Sequence, residues 1–330
     1  MTDRKGPNDI LRMARGFMES RILLSGAELD LFTLLQHTPL GVEEAARKTG
    51  AEPRRLAILL DALAAMGLLV KSGDTYRTAD DMVPLLSADS PRSVLPMVLH
   101  MVHIWNRWSG LTRILTSGDV PSSGENLFGD PRELRAFIGA MNVVAEPMAP
   151  GIIEAVAPGR AKRLLDVGGA SGTYTIAFLR ATPGMKATLF DRPGVIEMAR
   201  ERIRAAGLLD RVDLVAGDFY RDEFPPGHDL AFLSAIIHQN SPAENRDLFG
   251  KVFRALEKEG RAVVRDHIME PDRTRPKEGA IFAVNMLVAT SGGGTYTYDE
   301  IAQWLRETGF DRVRLVRKGE RMDGIVEAVK

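Results

Sequence analysis

The stretch Leu164–Gly172 constrains the fold of this chain more than any other. It reads Leu-Leu-Asp-Val-Gly-Gly-Ala-Ser-Gly, a short apolar run ending in a cluster of glycines, and helical spacing follows from Tyr174. Strand, glycine turn and helix in this order open an α/β nucleotide-binding unit. Asp191 follows the next predicted strand, where a carboxylate can accept hydrogen bonds from a ribose diol. The pattern therefore predicts a nucleoside site beside this turn.

The glycine spacing distinguishes between classes of nucleotide. A dinucleotide fingerprint needs G-x-G-x-x-G, and counting back from Gly172 places its first glycine on Val167, so that motif fails. The turn instead resembles the D-x-G-x-G-x-G motif of S-adenosylmethionine-dependent methyltransferases, with Ala170 in place of the middle glycine. A glycine turn that binds no ligand is the alternative. The resemblance implies that the cofactor S-adenosyl-L-methionine contacts Asp166, Gly168, Gly169 and Asp191.

The second half of the chain alternates between strands and helices. Strands are predicted at Leu164–Val167, Ala187–Phe190, Val212–Ala216, Leu230–Leu233 and Ala262–Arg265. This alternation predicts a parallel sheet with helices on both faces, and such sheets bind ligands beyond the carboxyl ends of their strands. We therefore expect one site to be formed by the segments that follow the strands, Asp166–Gly172, Asp191, Asp218–Phe219 and Ser234–His238.

His238 is the candidate general base. Ser241 and Glu244 have the spacing of a capping box, so a helix is predicted to begin at Ser241, just after His238. The positive end of its dipole favours a neutral imidazole, which can accept a proton. Asp266 ends the next strand and could orient the ring, or form a salt bridge with Arg265 or Arg261. A histidine that only packs or caps is the alternative for His238, and His267 is a second candidate base.

The N-terminal segment has the pattern of a winged helix. Helical spacing over Ile10–Leu35, with a break near Ser25, is followed by helices at Val42–Thr49 and Arg54–Met66 and a hairpin around Gly73. Residues 1–82 contain 11 basic and 12 acidic side chains, which is not the basic footprint of a DNA-binding domain. We therefore interpret this segment as a packing or dimerisation domain, with no nucleic-acid partner.

The segment from Val94 to Ala157 is predicted to be helical, with methionine and aromatic side chains at helical spacing. Such a stripe forms either core or an adaptable apolar pocket, and both interpretations stay open. His100 and His103 lack the acidic or cysteine cluster of a metal site, so no metal is expected. The candidate substrate-pocket residues are Trp105, Trp108, Met141 and Asn285.

The composition of the chain indicates which kinds of partner and which cellular location to expect. The chain has 43 basic and 44 acidic residues and no cysteine, so neither an anionic partner nor a disulfide framework is indicated. The N-terminus is polar, and no apolar run of about eighteen residues is apparent. These features predict a cytoplasmic protein that does not span a membrane.

Taken together, the chain resembles the small-molecule O-methyltransferases of the caffeate and acetylserotonin type over nearly its whole length. The resemblance implies a Rossmann-like class I methyltransferase domain with a mostly parallel seven-stranded sheet, preceded by a mainly helical winged-helix domain. It divides the chain into a dimerisation domain (1–93), a helical linker contributing to the substrate pocket (94–157) and a cofactor-binding domain (158–330). It also implies a homodimer.

Individual motifs carry this resemblance. Phe190–Pro193 is similar to the family's F-D-L-P, and Gly217–Phe219 to its G-D-M-F, which implies that Asp218 and Phe219 contact adenine. His238 takes the place of the proton acceptor in H-D-W. Ser234 falls where some members have a lysine beside the cofactor, and Asp266 where a glutamate flanks the histidine. Gln239, Asn240 and Thr295 depart from the pattern, the last at the place of a second acidic residue.

The sequence therefore predicts S-adenosylmethionine-dependent methyl transfer to a hydroxyl of a small acceptor, aromatic or polyketide-like, with His238 as general base. One alternative keeps the cofactor and changes the acceptor atom to nitrogen or carbon. Another is a winged-helix regulator that senses S-adenosylmethionine.

Overall fold

The computed structural model describes residues 5–118 and 131–330. The chain divides into two units, one ending at Trp105 and the other beginning at Asn106. The three-part division into 1–93, 94–157 and 158–330 stays a prediction, and residues 119–130 of its middle part lie outside the described residues.

The first unit is mainly helical. Its three short strands, β1 (Leu40–Gly41), β2 (Leu69–Ser72) and β3 (Thr75–Thr78), form an antiparallel sheet in the order β1-β3-β2. Its helices are α1 (Pro7–Glu28), α2 (Leu31–Leu34), α3 (Val42–Thr49), α4 (Pro53–Ala65), α5 (Val83–Leu86) and α6 (Leu95–Trp108), the last of which extends past Trp105. The predicted order of helix, helix and hairpin is confirmed. The predicted break near Ser25 is wrong, because α1 continues to Glu28 and the chain turns at Asp30, which has a left-handed φ of 51°.

The two halves of α1 differ in burial. Leu24 and Ala27, in its second half, belong to the apolar core that also contains Phe32, Leu60 and Leu63. The first half exposes half or more of five large apolar side chains, namely Ile10, Leu11, Met13, Phe17 and Met18. The second half of α1 therefore anchors the helix, and the first half presents an apolar surface.

The second unit is built on one seven-stranded sheet. Its strands are β4 (Arg163–Val167), β5 (Lys186–Asp191), β6 (Val212–Ala216), β7 (His228–Ser234), β8 (Leu256–Asp266), β11 (Asp311–Arg317) and β12 (Gly324–Val329). The order is β11-β12-β8-β7-β4-β5-β6, parallel from β8 to β6 and antiparallel at β12 and β11. All five predicted strands and the mostly parallel seven-stranded sheet are confirmed.

Helices cover both faces of this sheet. The helices of this unit are α7 (Leu111–Ser117), α8 (Pro131–Val156), α9 (Thr173–Ala181), α10 (Pro193–Ala205), α11 (Pro242–Ala255), α12 (Lys277–Ala289) and α13 (Tyr298–Glu307). Of these, α8, α9 and α10 pack against one face of the sheet, and α11 and α13 pack against the other. Neighbouring residues on a strand point to opposite faces. Accordingly, Leu164 packs in a core with Ile152 and Phe178, whereas Leu165 packs in a second core with Phe249. A separate parallel pair is formed by β9 (Ile268–Met269) and β10 (Tyr296–Thr297).

The strand order creates a crevice at the carboxyl edge of the sheet. From β4 the chain proceeds through β5 and β6 on one side, and then returns to place β7 and β8 on the other. Neighbouring connections therefore diverge between β4 and β7, which is the switch point where open α/β sheets bind ligands. The glycine turn follows β4, and Ser234 ends β7.

One helical segment, Leu134–Val156 within α8, is long and apolar enough to cross a membrane by length and composition alone. The segment contains Arg135, Glu146 and Glu154, so it is not an unbroken apolar run, and the expectation that the chain does not span a membrane stays a prediction. The same criterion is met by core helices of soluble proteins, and Ile152, Ile153 and Val156 are buried in the core of this unit. The segment is weak evidence for a membrane span.

Candidate functional site

The glycine turn connects the ends of two neighbouring strands. Gly168, Ala170 and Gly172 all have left-handed φ angles, of 64°, 48° and 76°, and Gly172 precedes the first residue of α9. The Gly168 N–H donates to the carbonyl of Phe190 at 2.8 Å. Left-handed backbone costs glycine little and alanine more, so the conformation of Ala170 requires support from its neighbours.

Asp191 provides that support. Its Oδ2 accepts the Ala170 N–H at 2.8 Å, and its Oδ1 accepts the Arg192 N–H at 2.7 Å. Burial raises the pKa of Asp191 to about 6, against the effect of these two N–H donors. A carboxylate has about four lone-pair positions, so capacity remains for the hydroxyls of a ligand. The structure thus brings Asp191 and the glycine turn together, as the sequence predicts.

Asp166 lies inside the fold behind the turn. It is almost fully buried and accepts the Thr175 hydroxyl at 2.5 Å, which connects β4 to α9. Burial raises the pKa of Asp166 to about 6. Its observed contact supports the turn, and a direct contact with the cofactor stays a prediction.

Asp218 and Phe219 follow the neighbouring strand β6. The Asp218 Oδ1 accepts the Tyr220 N–H at 3.0 Å, and its Oδ2 lies 3.7 Å from the Arg192 guanidinium. The Phe219 ring packs on that of Tyr220, with 4.6 Å between centroids. Because Arg192 directly follows Asp191, this ion pair connects the ends of β5 and β6.

His238 and Asp266 form the closest pair of titratable side chains at the other end of the crevice. The His238 Nδ1 lies 3.0 Å and 2.9 Å from the two carboxylate oxygens of Asp266. Asp266 is only 1% exposed. Burial by itself raises the pKa of Asp266, but the His238 imidazole and the His267 N–H outweigh burial, so the pKa is lowered. The alternative salt bridges are not formed, because Arg261 pairs with Glu327 and Arg265 contacts Ser234.

The turn that carries His238 is held at both ends. It is a 3-10 turn, Ile237–Gln239, and the predicted capping box of Ser241 and Glu244 begins α11 directly after it. Asn240, one of the departures from the family motif, is buried and accepts the Tyr220 hydroxyl at 2.7 Å. Its own amide donates to Asn245 at 3.1 Å. The departure at Asn240 therefore forms a buried polar network.

A glycine run packs against the other side of this turn. The Gly294 N–H donates to the His238 carbonyl at 2.8 Å, and a Cβ on Gly293 would collide with that same carbonyl. Only glycine permits this approach at residue 293. Thr295 follows the run; it is buried, and its carbonyl accepts from Arg273 at 2.9 Å.

Helix α12 borders the two histidines. Phe282 packs edge-on against His238 at 4.8 Å between ring centroids, and against His267 at 5.2 Å. Burial lowers the pKa of His267. Asn285 lies one turn further along α12 and accepts the Trp108 Nε1–H at 2.9 Å.

The four predicted pocket residues lie in different units: three are in the second unit and one is in the first. Asn285 and Trp108 are in contact, and Met141 lies on α8. Trp105 belongs to the first unit, where it contacts Phe17 and Arg21, with 6.3 Å between the rings and 5.9 Å to the guanidinium.

One buried cation at the site was not predicted from the sequence. Arg265 is 3% exposed, donates to the Ser234 Oγ at 2.9 Å, and lies over the Tyr174 ring at 5.4 Å. From the sequence, Arg265 was expected only as a salt-bridge partner of Asp266. A signal was present, since Arg265 directly follows the apolar run Ala262–Val264 in the same strand, where the neighbouring residues are buried. Asn142 was also missed; its side chain accepts the Thr173 hydroxyl at 2.7 Å and so connects α8 to the glycine turn.

This set of groups fits an adenosyl amino acid. The edge offers carboxylate acceptors at Asp191 and Asp218 and close backbone approach at the glycine turn, together with a buried cation at Arg265. Within residues 5–118 and 131–330, no cluster of three or more metal-binding side chains is present.

Comparisons with known proteins agree with this chemistry. Residues 122–311 match the model of the O-methyltransferase domain, and residues 11–81 match that of the O-methyltransferase dimerisation domain. The chain is 33% identical to the tetracenomycin polyketide synthesis 8-O-methyl transferase TcmO of Streptomyces glaucescens, covering 95% of this chain and 94% of the relative. It is 30% identical to the 3-hydroxy-5-methyl-1-naphthoate 3-O-methyltransferase of Streptomyces sahachiroi, covering 98% and 95%.

Solved structures show the same fold. An O-methyltransferase family protein from Burkholderia thailandensis superposes with a TM-score of 0.85 at 28% identity, covering 99% of each chain. Human N-acetylserotonin methyltransferase, solved with S-adenosylmethionine, superposes with a TM-score of 0.84 at 24% identity, covering 100% of this chain and 99% of that one. The predicted family is confirmed: the chain belongs to the O-methyltransferase family and is an S-adenosylmethionine-dependent enzyme.

Proposed function

We propose that this enzyme methylates a hydroxyl group of a small aromatic or polyketide-like molecule, with His238 as the general base. The observation that carries this proposal is the contact of the His238 Nδ1 with both oxygens of the buried Asp266. The names of the two bacterial relatives, a polyketide 8-O-methyl transferase and a naphthoate 3-O-methyltransferase, support the acceptor class.

The contact with Asp266 fixes the chemistry of the imidazole. A carboxylate only accepts, so the Nδ1–H donates to it and the Nε2 of a neutral ring is left as a proton acceptor. In this arrangement His238 removes the hydroxyl proton of the acceptor while Asp266 stabilises the imidazolium that forms. When bound, S-adenosylmethionine supplies an electrophilic methyl group on a sulfonium centre.

The cofactor is assigned to the groups that follow β4, β5, β6 and β7. Asp191 accepts from the ribose hydroxyls, since its carboxylate has unused lone pairs beside the glycine turn. Asp218 and Phe219 border the adenine, and Gly168, Gly169 and Ser234 border the methionyl part. Asp166 acts behind the turn through Thr175.

The acceptor is assigned to the neighbourhood of α12. Phe282 contacts the edge of the His238 ring, and an aromatic side chain there gives a planar acceptor an apolar surface to pack against. Asn285 is oriented by the Trp108 indole, which leaves the Asn285 amide N–H groups as donors toward an acceptor oxygen. Met141 completes this proposed pocket from α8.

Isotope-labelled S-adenosylmethionine distinguishes the proposal from its alternatives. We expect label on hydroxynaphthoates or polycyclic phenols, and none on matched acceptors whose hydroxyl is already a methyl ether. Label on carbon in the blocked acceptors, or transfer only to amines, would refute hydroxyl methylation. Cofactor binding without transfer of label to any of these hydroxylated acceptors would contradict the proposed acceptor class.

We further propose that the enzyme is a homodimer formed through the first half of α1. The match to a dimerisation domain over residues 11–81 supports a second copy as the partner. The exposed side chains of Ile10, Met13 and Phe17 recur at helical spacing, which forms one apolar stripe. Stripes of this kind on a surface helix mark interaction sites.

A matched pair of variants tests the dimer. Phe17→Lys places a charge in the stripe, whereas Glu19→Lys places the same side chain on the opposite face of α1. Light scattering at micromolar concentration should show a monomer, or a strongly weakened dimer, for Phe17→Lys and an unchanged dimer for Glu19→Lys. A monomeric wild-type protein, or equal effects of the two variants, would contradict this interface.

A further inference from the structure

Arg265 is a buried cation without a carboxylate partner. Its side chain lies on β8 and is 3% exposed, yet no carboxylate within the described parts of the chain lies within 4.0 Å of its guanidinium. Its contacts are the Ser234 Oγ at 2.9 Å, the Met148 Sδ at 3.5 Å and the face of the Tyr174 ring. Its Nε has no acceptor. Burial of an unpaired charge is strongly unfavourable, so an anion is needed here.

A second buried polar group in the same place also lacks a partner. The Tyr174 hydroxyl faces Ser234, but it has no partner at hydrogen-bonding distance, and the residue is 7% exposed. The two carboxylates whose charge reaches Tyr174 are engaged by other groups, Asp166 by Thr175 and Asp323 by Arg317. Arg265 and Tyr174 therefore both lie beside Ser234, and each has a buried donor without an acceptor.

That position lies beside the proposed cofactor site. Tyr174 is the second residue of α9, directly after the glycine turn, and Ser234 ends β7, which pairs with β4 up to Val167 and Leu233. The first turn of α9 also contributes free backbone N–H groups, which favour negative charge. A carboxylate at this position would have a cation and a hydroxyl as donors.

We propose that Arg265, with Ser234 and Tyr174, binds the α-carboxylate of the methionyl part of S-adenosylmethionine. This inference rests on the proposed function, because it needs the cofactor beside the glycine turn. The planar guanidinium can donate two parallel hydrogen bonds to a carboxylate. Arg265 is then a specificity determinant for the amino-acid end of the cofactor and takes no part in proton removal.

The experiment compares two ligands, S-adenosylmethionine and its decarboxylated analogue, which differ only in the carboxylate. Calorimetric titration of the wild-type protein should show tighter binding of S-adenosylmethionine by about 10- to 100-fold, the range for hydrogen bonds to a charged group. Arg265→Met should remove most of that preference, while leaving the affinity for the decarboxylated analogue unchanged or improved. Tyr174→Phe, which removes only the hydroxyl, should reduce the preference by a smaller factor.

Arg261→Met is the matched control, because Arg261 lies on the same strand but is paired with Glu327. It should keep the wild-type preference between the two ligands. Thermal unfolding without ligand supplies a second measurement. Arg265→Met should melt no lower than the wild type, since it removes a buried charge without a partner, whereas a purely structural role predicts a lower melting temperature.

The outcomes separate this inference from the proposed function. Wild-type protein that binds neither ligand would contradict the cofactor site itself. Tight binding of both ligands with no preference, or equal losses for both in Arg265→Met, would refute the assignment of Arg265 alone. If Arg265→Met leaves cofactor binding unchanged but weakens carboxylated acceptors relative to their carboxamides, the carboxylate is that of the acceptor and the inference is wrong.

Discussion

Asp191, which is partly buried, and Asp266, which is fully buried, end two strands of the same sheet, and their pKa values shift in opposite directions. The pKa of Asp191 is raised to about 6 by burial, and its partners are the neutral N–H groups of Arg192 and Ala170. For Asp266, burial acts in the same direction, but the His238 imidazole reverses the outcome and the pKa is lowered. Burial raises the pKa of both carboxyl groups, so the difference in the direction of the shift comes from the His238 imidazole beside Asp266.

We propose that these two carboxylates have different tasks. Both carboxylate oxygens of Asp266 contact the imidazole of His238, which is the arrangement expected of a group that positions a base. Asp191 holds the glycine turn with part of its acceptor capacity and keeps the rest for a ligand. In this proposal, the Asp191 end of the crevice binds the cofactor and the Asp266 end removes the proton.

The opposite pKa shifts of Asp191 and Asp266 also make their contributions to folding stability depend on pH in opposite ways. A raised carboxyl pKa means that the folded state binds the proton more tightly, so the contribution of Asp191 to stability is full below its unfolded pKa and is lost as pH rises through about 6. A lowered pKa means the reverse, so the contribution of Asp266 is present above its unfolded pKa and is lost in stronger acid.

The largest expected effect comes from removing the base. His238→Gln should lower kcat by about 10²–10⁴-fold with the true acceptor, since glutamine can hydrogen-bond but cannot take up the proton. Affinity for S-adenosylmethionine should change little, because the cofactor is assigned to the other side of the crevice. Single-turnover kinetics and calorimetry measure the two quantities separately.

The pH dependence of kcat tests whether His238 removes a proton or only positions the acceptor. In the wild type, kcat at saturating cofactor should fall in acid, because only the neutral imidazole accepts a proton, and this acid limb should be absent from His238→Gln. A glutamine variant with a nearly wild-type rate and the acid limb intact would mean that His238 only positions the acceptor, as expected for a carbon acceptor.

The second largest expected effect is a loss of cofactor affinity when Asp191 is replaced. Asp191→Ala should weaken binding of S-adenosylmethionine by roughly 1.5–3 kcal/mol, because it removes hydrogen bonds to a charged group. Asp266→Asn is the matched control: it also neutralises a buried carboxylate at a strand end, yet it should lower kcat and leave cofactor affinity nearly unchanged. If both variants affect the same quantity, the division between binding and proton removal fails.

Local signals made the sheet and the position of His238 predictable from sequence. The glycine turn, the strand ends and the capping box of Ser241 each depend on residues close together in the chain, and all of them appear as predicted. Asp191 and the glycine turn could be brought together in advance because the carboxyl ends of adjacent parallel strands share one edge.

Contacts between distant segments were not predictable in the same way. Arg265 meets Met148 across 117 residues and Tyr174 across the sheet, and no periodicity connects these residues. Trp108 and Asn285 are 177 residues apart, and only the path of α12 brings them into contact. The contact of Gly293 and Gly294 with the His238 carbonyl likewise depends on the path of the segment that follows α12.

The smallest expected effect is a pH dependence of cofactor affinity. Because the pKa of Asp191 is raised to about 6, its carboxyl is mostly ionised at pH 7 and mostly protonated at pH 5. If the ionised form binds the ribose hydroxyls, affinity for S-adenosylmethionine should weaken about tenfold between these two pH values. Titration calorimetry across this range, in buffers of different ionisation enthalpy, should also show that binding releases a proton near pH 6.

Asp166 is the necessary control, because burial raises its pKa to about 6 as well, so it titrates over the same range. It contacts Thr175 behind the glycine turn, whereas Asp191 contacts the turn itself. Asp191→Asn should therefore abolish the dependence between pH 5 and pH 7, and Asp166→Asn should retain it. The reverse result would assign the titration to Asp166. It would mean that cofactor affinity depends on the charge of Asp166, behind the glycine turn. In that case the ribose contact of Asp191 would no longer account for the different behaviour of the two ends of the crevice.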